Sequence, residues 1–325
     1  MAELILELKN LKKYFPLPNG QSVKAVDGVS LQLFKGETLG LVGESGCGKS
    51  TIAYMVVGMY GATEGEIIYK GENLARKGYK RSLKQKGEIQ IVFQDPGSSL
   101  NSRRNIGKSL ELPLKLHSKL SKKERQNRIE ELLEMVGLPV DFSKKMPRHI
   151  GGGERQLVSV ARALGSSPQF IILDEPTSAL DVSVQAKVIS TLIKLQKQLD
   201  LSYLFITHDL SLMRNVATRV AILYLGRLCE VAPTSEFFHS PFHPYTQMLL
   251  SSIPVATDEE EKIKPAKIIS EGEIPSPVNA PSGCTFHTRC RECMEICRQV
   301  IPSMVEIEPN HFVCCHKYPD SGTES

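Results

Sequence analysis

Gly43-Glu44-Ser45-Gly46-Cys47-Gly48-Lys49-Ser50-Thr51 follows the apolar run Thr38–Val42 and opens a helix-like stretch over residues 49–59. Its spacing, G-x-x-x-x-G-K-S, has a mechanical reading. Gly43, Gly46 and Gly48 let successive backbone N–H groups turn inward, Lys49 reaches terminal phosphates, and the Ser50 hydroxyl ligates Mg²⁺. Glu44, Ser45, Cys47 and Thr51 complete the cradle. An ordinary glycine-rich turn is the alternative, and the strand before and helix after the loop argue against it. The stretch predicts an α/β fold with a triphosphate and a metal at the end of a strand.

Composition sets the outer limits. The 325 residues are 41% hydrophobic and 23% charged, as in a globular chain of one large or two modest domains. Forty Lys and Arg against 36 Asp and Glu leave +4, too little to argue for nucleic acid, and none is expected as a partner. Basic stretches at 70–86 and 115–128 read as solvated faces, or as surfaces for an acidic partner or anionic lipid. No apolar run approaches the ~18 residues of a bilayer span. Glu3, Glu7 and Lys9 interrupt the N-terminal apolar residues, so no secretory signal is expected and the chain is placed in the cytosol.

Working outward, Leu4, Leu6 and Leu8 alternate with Ile5 and Glu7, and Val29, Leu31 and Leu33 with Ser30 and Gln32, as in half-buried strands. Two β segments thus precede the loop, with Tyr14 and Phe15 between them as core residues or as rings that stack on a purine. Short β-rich runs follow at 66–69 and 88–93. The second ends at Gln94, where open α/β sheets bind ligands, so Gln94 is a candidate for Mg²⁺ or an attacking water. Residues 106–137 turn helical, with Ser121 and Glu124 as a capping box and Gly137 closing the run. Ile150-Gly151-Gly152-Gly153-Glu154-Arg155-Gln156 then leads into another helix, and its glycines expose N–H donors as a second candidate anion site.

Phe170-Ile171-Ile172-Leu173 reads as a strand buried on both faces that delivers Asp174 and Glu175 at its C-terminal end. Adjacent carboxylates there point to opposite sides. Asp174 suits Mg²⁺, and Glu175 suits polarising a water that attacks a γ-phosphate. Ser178-Ala179-Leu180-Asp181 precedes a helix with Val184, Val188, Leu192, Leu195 and Leu199 on one face. A further buried strand over 203–206 ends at Thr207-His208-Asp209; His208 could reach the same phosphate, while Asp209 as a helix N-cap explains the turn without chemistry.

In order and spacing, Gly43 to Thr51, Gln94, Ile150 to Gln156, Ile171 to Glu175, Ser178 to Asp181 and His208 resemble the P-loop, Q-loop, signature, Walker B, D-loop and switch histidine of ABC-type ATPases. The resemblance covers about residues 1–253. It implies a nucleotide-binding domain over 1–233, with an antiparallel β subdomain and a helical insert at about 97–165, and an extension over 234–325. It also implies a head-to-tail dimer that closes ATP between one subunit's P-loop and the other's signature, Gly151, Gly152, Gly153 and Glu154. Phe15, or alternatively Tyr14, would stack on adenine, and Asp181 would face the partner.

The 55-residue span from Gln94 to the signature is too short for the coiled coil of DNA-repair relatives. Phe93-Gln94-Asp95-Pro96, Ser98-Ser99-Leu100-Asn101 and His243-Pro244-Tyr245-Thr246 look like the ATP-binding subunits of oligopeptide, dipeptide and nickel permeases, and within them the second of two unequal ATPases. The resemblance implies ATP hydrolysis driving peptide import from the cytoplasmic face of the membrane. It implies as partners a second ATPase subunit, two transmembrane permease subunits and an extracytoplasmic solute-binding protein. A nickel permease ATPase, and a soluble regulatory ATPase with an iron–sulfur sensor, are the alternative readings.

Six of eight cysteines lie between Cys284 and Cys315, after a linker containing Pro265, Pro275, Pro277 and Pro281. In a reducing cytosol such bunching favours metal over disulfides. The spacing fits neither the bacterial ferredoxin run nor a pair of C-x₂-C zinc arms. It resembles the C-terminal motif of the permease family, in which four cysteines hold a [4Fe–4S] cluster. Carried over, these are Cys284, Cys290, Cys297 and Cys315, with Cys293 and Cys314 left over; zinc and no metal are the alternatives. Cys47 and Cys229 read as filler and core.

The chain departs from the family's signature at Gly151, where the pattern places a serine whose hydroxyl would donate to the γ-phosphate. A hydrogen bond to a charged group is worth about 1.5 to 3 kcal/mol, or roughly 10- to 150-fold if felt only in the transition state. The composite site that uses this signature is therefore expected to be the slower one. Gly151→Ser in the heterodimer should speed single-turnover hydrolysis at the partner's P-loop, and an unchanged rate there would refute the idea.

Overall fold

The computed structural model describes residues 3–253, 268 and 272–318. Pro265, read as part of the linker, lies outside them. The chain forms two compact units. One comprises the N-terminal residues through Ile5, Leu33–Thr38 and Lys77–Thr207; the other comprises Leu6–Gln32, Leu39–Arg76 and the chain from His208 onward.

In the first unit, strands Ile89–Val92, Phe170–Asp174 and Ser202–Thr207 run parallel, with Phe170–Asp174 in the middle; Ile172 pairs with Ile91 on one side and Leu204 on the other. All residues of the latter two strands are buried, which is why they are continuous apolar runs and not alternating ones. Helices supply the cover. Lys122–Met135 begins at the Ser121–Glu124 capping box, buries Ile129, Leu132 and Leu133, and is followed by Gly137 at φ 73°. A left-handed residue lets the chain leave a helix while its amide satisfies a carbonyl, here that of Glu134. Gly152–Leu164 packs so closely on Val182–Leu199 that a Cβ at Gly153 would lie 2.1 Å from Val184 Cγ1.

Val182–Leu199 buries Val188, Ile189, Leu192 and Leu195. Leu199, expected on the same face, is 40% exposed. It belongs to the last turn, which Asp200 ends in a left-handed conformation, and Leu201 takes the buried position beyond it.

The second unit holds two sheets. The first has the order Ser22–Phe34, Leu4–Pro16, Glu64–Tyr69, Glu72–Asn73, and Leu6 and Leu8 lie opposite Tyr69 and Ile67. Leu6, Leu8, Val29, Leu31 and Leu33 are buried, but Leu4 is exposed and Ile5 buried, so the expected alternation starts only at Leu6. In the second sheet Thr38–Val42 runs parallel to Arg219–Tyr224, which pairs antiparallel with Arg227–Pro233. The C-terminal hairpin Val305–Glu308 and His311–Val313 continues it, with Glu230 opposite Val313. The tail is thus part of the sheet, and Val305, Val313, Cys315, Phe242, Ile307 and Tyr318 form a small core of their own. Among the described residues, no helix is long and apolar enough to cross a membrane.

Candidate nucleotide site and its tail

The loop after Thr38–Val42 is held open by steric necessity. A Cβ on Gly43 would sit 2.2 Å from the Leu223 carbonyl oxygen, and one on Gly48 at 2.2 Å from that of Ala25. Gly48 also has φ 112°, which a residue with a Cβ rarely adopts, and it caps the helix Lys49–Val57. Only glycine fits at either end of the loop; between them the Cys47 N–H turns back onto the Glu44 carbonyl at 3.3 Å. Lys49 is buried, its Nζ donating to the carbonyls of Gly43 at 2.8 Å and Glu44 at 2.9 Å. Two carbonyl acceptors offset the cost of taking an ammonium from water. Ser50 and Thr51 follow as the second and third residues of the helix. Cys47 is buried beside Lys49, and burial raises its thiol above the usual range.

In the first unit, Gln94 Nε2 donates to Glu175 Oε2 at 3.0 Å and lies 3.5 Å from Ser178 Oγ. Asp174 is buried as the last residue of its strand, whereas Glu175 is half-buried and takes φ 46°. A non-glycine residue held left-handed is strained, and such strain concentrates where side-chain aim matters. The two adjacent carboxylates therefore differ in burial and in backbone conformation. Neither the strain at Glu175 nor the approach of Ser178 has a signal in the spacing of the residues.

The Gly151–Glu154 stretch meets Ala179, Leu180, Asp181 and Val184 around a cavity of about 530 Å³. Gly151 N–H donates to Glu154 Oε2 at 2.8 Å. Around Gly151 a Cβ would meet only that carboxylate, at 3.6 Å, so a serine enters without moving the backbone. Asp181 caps Val182–Leu199 by accepting from Val184 N–H at 3.0 Å and Ser183 Oγ at 2.7 Å, which hold its carboxyl below the usual range.

Tyr14 and Phe15 divide their roles. Tyr14 donates its hydroxyl to Asp27, which also takes a fork from Arg227 at 2.6 and 3.1 Å. Burial works against the Asp27 charge, but these two partners keep its carboxyl below the ordinary value. Phe15 is partly exposed, edge-on to Tyr60 at 5.5 Å, with Lys13 Nζ 5.0 Å from its centroid. His208 is exposed just past Ser202–Thr207, and Asp209 caps the next helix, accepting from Ser211 N–H at 3.0 Å.

The tail reaches the loop through residues the sequence reading did not assign. Tyr245 Oη accepts from Glu44 N–H at 3.3 Å, and Arg289 of the cysteine-rich segment forks onto the Glu44 carboxylate. Behind them Glu230, fully buried, accepts from Phe242 N–H at 2.8 Å and His243 N–H at 2.9 Å, and shares a 2.7 Å hydrogen bond with His311 Nε2. The eight cysteines are free thiols. Cys284 lies within electrostatic reach of Cys290, Cys297 and Cys315, and Cys315 within reach of Cys290 and Cys297; burial, and then the neighbouring thiols, push Cys284 up to about 11 and Cys290 to about 12. Among the described residues no group of three or more His, Cys, Asp or Glu is set at metal-holding geometry.

A phosphate loop in one unit, and in the other a buried strand ending in two carboxylates and a glycine-rich helix entry, are the marks of an ATP-binding cassette. The fold is similar to that of the dimeric cassette MJ0796 solved in a post-hydrolysis state bound to ADP and Pi, with TM-score 0.65, 29% identity, and coverage of 71% of this chain and 99% of that one. Residues 26–178 match the ABC transporter family, and residues 229–297 the oligopeptide/dipeptide transporter C-terminal region. The chain is 47% identical to the oligopeptide transport ATP-binding protein AppF of Bacillus subtilis, over 97% of this chain and 98% of that protein. It is 42% identical to the dipeptide transport ATP-binding protein DppF of Haemophilus influenzae, over 96% of each. This chain belongs to that family of ABC transporter ATP-binding proteins.

His243 connects the tail to stability. Its Nδ1 accepts from Tyr245 N–H at 3.0 Å, and burial lowers its pKa from 6.5 to about 4. A depressed histidine contributes stability that is whole above about pH 6.5 and is lost as pH falls toward 4, roughly 3 kcal/mol in all. His243→Asn, which keeps a capping acceptor, should flatten that part of the stability profile in urea titrations between pH 7 and 4; an unchanged slope would show that His243 does not carry it.

Proposed function

We propose that this chain is the ATP-hydrolysing subunit that powers import of oligopeptides or dipeptides through a membrane permease. The observation that carries the reading is the Gly43–Thr51 loop with its enclosed Lys49, in a chain aligned end to end with oligopeptide and dipeptide transport ATPases. Those relatives favour peptide over nickel as cargo. The subunit sits at the cytoplasmic face of the membrane, paired head to tail with a second ATPase and served by two permease subunits and a solute-binding protein. A cassette through residue 233 and an extension from 234 divide the labour.

The loop amides and Lys49 bind the β- and γ-phosphates, and Phe15 offers a ring to adenine. Ser50, Asp174 and Gln94 would hold Mg²⁺, whose charge neutralises the phosphates during transfer. Glu175, steadied by Gln94, orients a water and accepts its proton as the new O–P bond forms and the bond to the β-phosphate oxygen breaks, giving ADP and phosphate. His208 donates toward the γ-phosphate. Asp181 and the Gly151–Glu154 amides serve the nucleotide held by the partner. Removing a general base costs on the order of 10²- to 10⁴-fold. Glu175→Gln should therefore retain ATP, stabilise the dimer and lose turnover by at least about 10²-fold; normal turnover would mean that the base is another residue.

The finer reading of the tail is that Cys284, Cys290, Cys297 and Cys315 hold a [4Fe–4S] cluster. Their donor chemistry and proximity support it, while the raised pKa values of Cys284, Cys290 and Cys315 mean that binding must drive their deprotonation. Among the described residues no three of them stand at ligating geometry, so the thiols must draw together on binding. Anaerobic purification should yield about four iron and four sulfide per chain with visible absorption; zinc alone, or no metal after reconstitution, would overturn it.

A further inference from the structure

Glu44 is the second residue of the phosphate loop, and the chain grips it from three directions. Arg289 Nη1 donates to Oε2 at 2.9 Å and Nη2 to Oε1 at 3.2 Å. The Glu44 N–H donates to Tyr245 Oη at 3.3 Å, and its carbonyl accepts from Lys49 Nζ at 2.9 Å. Arg289 stands 245 residues away in sequence, next to Cys290. Its side chain is only 9% exposed.

The guanidinium is held by an aromatic box. Its centre lies 5.7 Å from the Tyr224 ring and 5.9 Å from Phe286, and Nη1 also donates to Tyr224 Oη at 3.4 Å. Tyr224, Tyr245 and Phe286 contact one another with centroids 4.7, 5.2 and 5.3 Å apart. A planar guanidinium so clamped meets a carboxylate in two parallel bonds, which fixes direction as well as charge; an ammonium would not. Burial works against the positive charge, and Glu44 more than compensates, so Arg289 stays protonated.

We propose that Arg289 is a positioning residue for the triphosphate site, by which the cysteine-rich tail sets the shape and charge of the phosphate loop. This rests on reading Gly43–Thr51 as a triphosphate cradle. Glu44 places a carboxylate within the loop that, on this reading, takes the anionic phosphates. Paired with Arg289 it is neutralised, and its backbone is fixed so that the carbonyl faces Lys49. Unpaired, a unit negative charge near the phosphates at an effective dielectric of about 20 weakens nucleotide binding by roughly tenfold or more. The tail segment is itself anchored, Arg289 N–H donating to Phe286 at 3.0 Å and Cys284 N–H to Cys297 at 2.8 Å, so order around the cysteines passes to the nucleotide site.

The test is a set of full-length variants titrated with ATP and Mg²⁺ by calorimetry, with turnover and thermal midpoint measured on each. Arg289→Gln should weaken ATP binding and raise KM by about tenfold, with kcat changed less than twofold. Arg289→Lys should recover part of the loss. Glu44→Gln placed in the Arg289→Gln background should recover most of it, because no charge is then left unpaired. Wild-type affinity in folded Arg289→Gln would overturn the proposal, as would a loss that Glu44→Gln does not repair. If Arg289→Gln does not fold, Arg289→Lys and the double variant decide in the same way. Lys49→Ala separates the two readings: if it binds ATP like the wild type, the cradle itself is misread and the proposal falls with it. If only Arg289→Gln is silent, the cradle stands and the tail's role does not.

Discussion

Two peptide carbonyls, those of Leu223 and Ala25, press against the first and last glycines of the Gly43–Gly48 loop at distances no side chain could tolerate. Everything chemical in the second unit depends on that close approach. It holds the backbone in a turn that brings the Gly43 and Glu44 carbonyls to the Lys49 ammonium. Burying an ammonium without acceptors is costly, so the loop carbonyls and the lysine stabilise each other. The strand Arg219–Tyr224, remote in sequence, supplies one of the two pressing carbonyls, which makes the parallel pairing of Leu41 with Ala221 part of the phosphate site.

The tail is tied to the same point through buried polar groups. Glu230 gathers two backbone amides and the His311 ring in a region with no exposure to water, where each bond is strengthened by low dielectric and each missing one would be costly. His243, positioned by Glu230, caps the helix Pro244–Ser251 and sets Tyr245 against the loop amide. The His-Pro-Tyr string is thus a structural bracket. Proline at the first helical position needs no hydrogen-bonded N–H, histidine supplies the acceptor, and the tyrosine delivers its hydroxyl to Glu44.

Much of the first unit was legible in the sequence, because its signals are local. The buried strands are unbroken apolar runs, the Ser121–Glu124 box marks a helix start, and Gln94, Asp174 and Glu175 fall at strand ends by counting alone. Leu199 misled because helical periodicity says nothing about where the last turn stops being covered. The strain at Glu175 was invisible for a similar reason: a left-handed φ in a non-glycine residue is imposed by its surroundings and leaves no mark on its own side chain.

The sequence by itself determined the class of chemistry, since glycine spacing, a lysine and a carboxylate at the end of an apolar run are each demanded by backbone geometry at short range. It also determined that the cysteines form a group, through their bunching. Only the tertiary structure decided that Arg289 closes on Glu44, that Tyr14 is committed to Asp27 while Phe15 stays partly exposed, and that the tail hairpin extends the sheet. Those contacts join residues far apart along the chain. An ion pair or a strand edge has no period in the sequence, and its partner is chosen by which surfaces the packed core brings within reach.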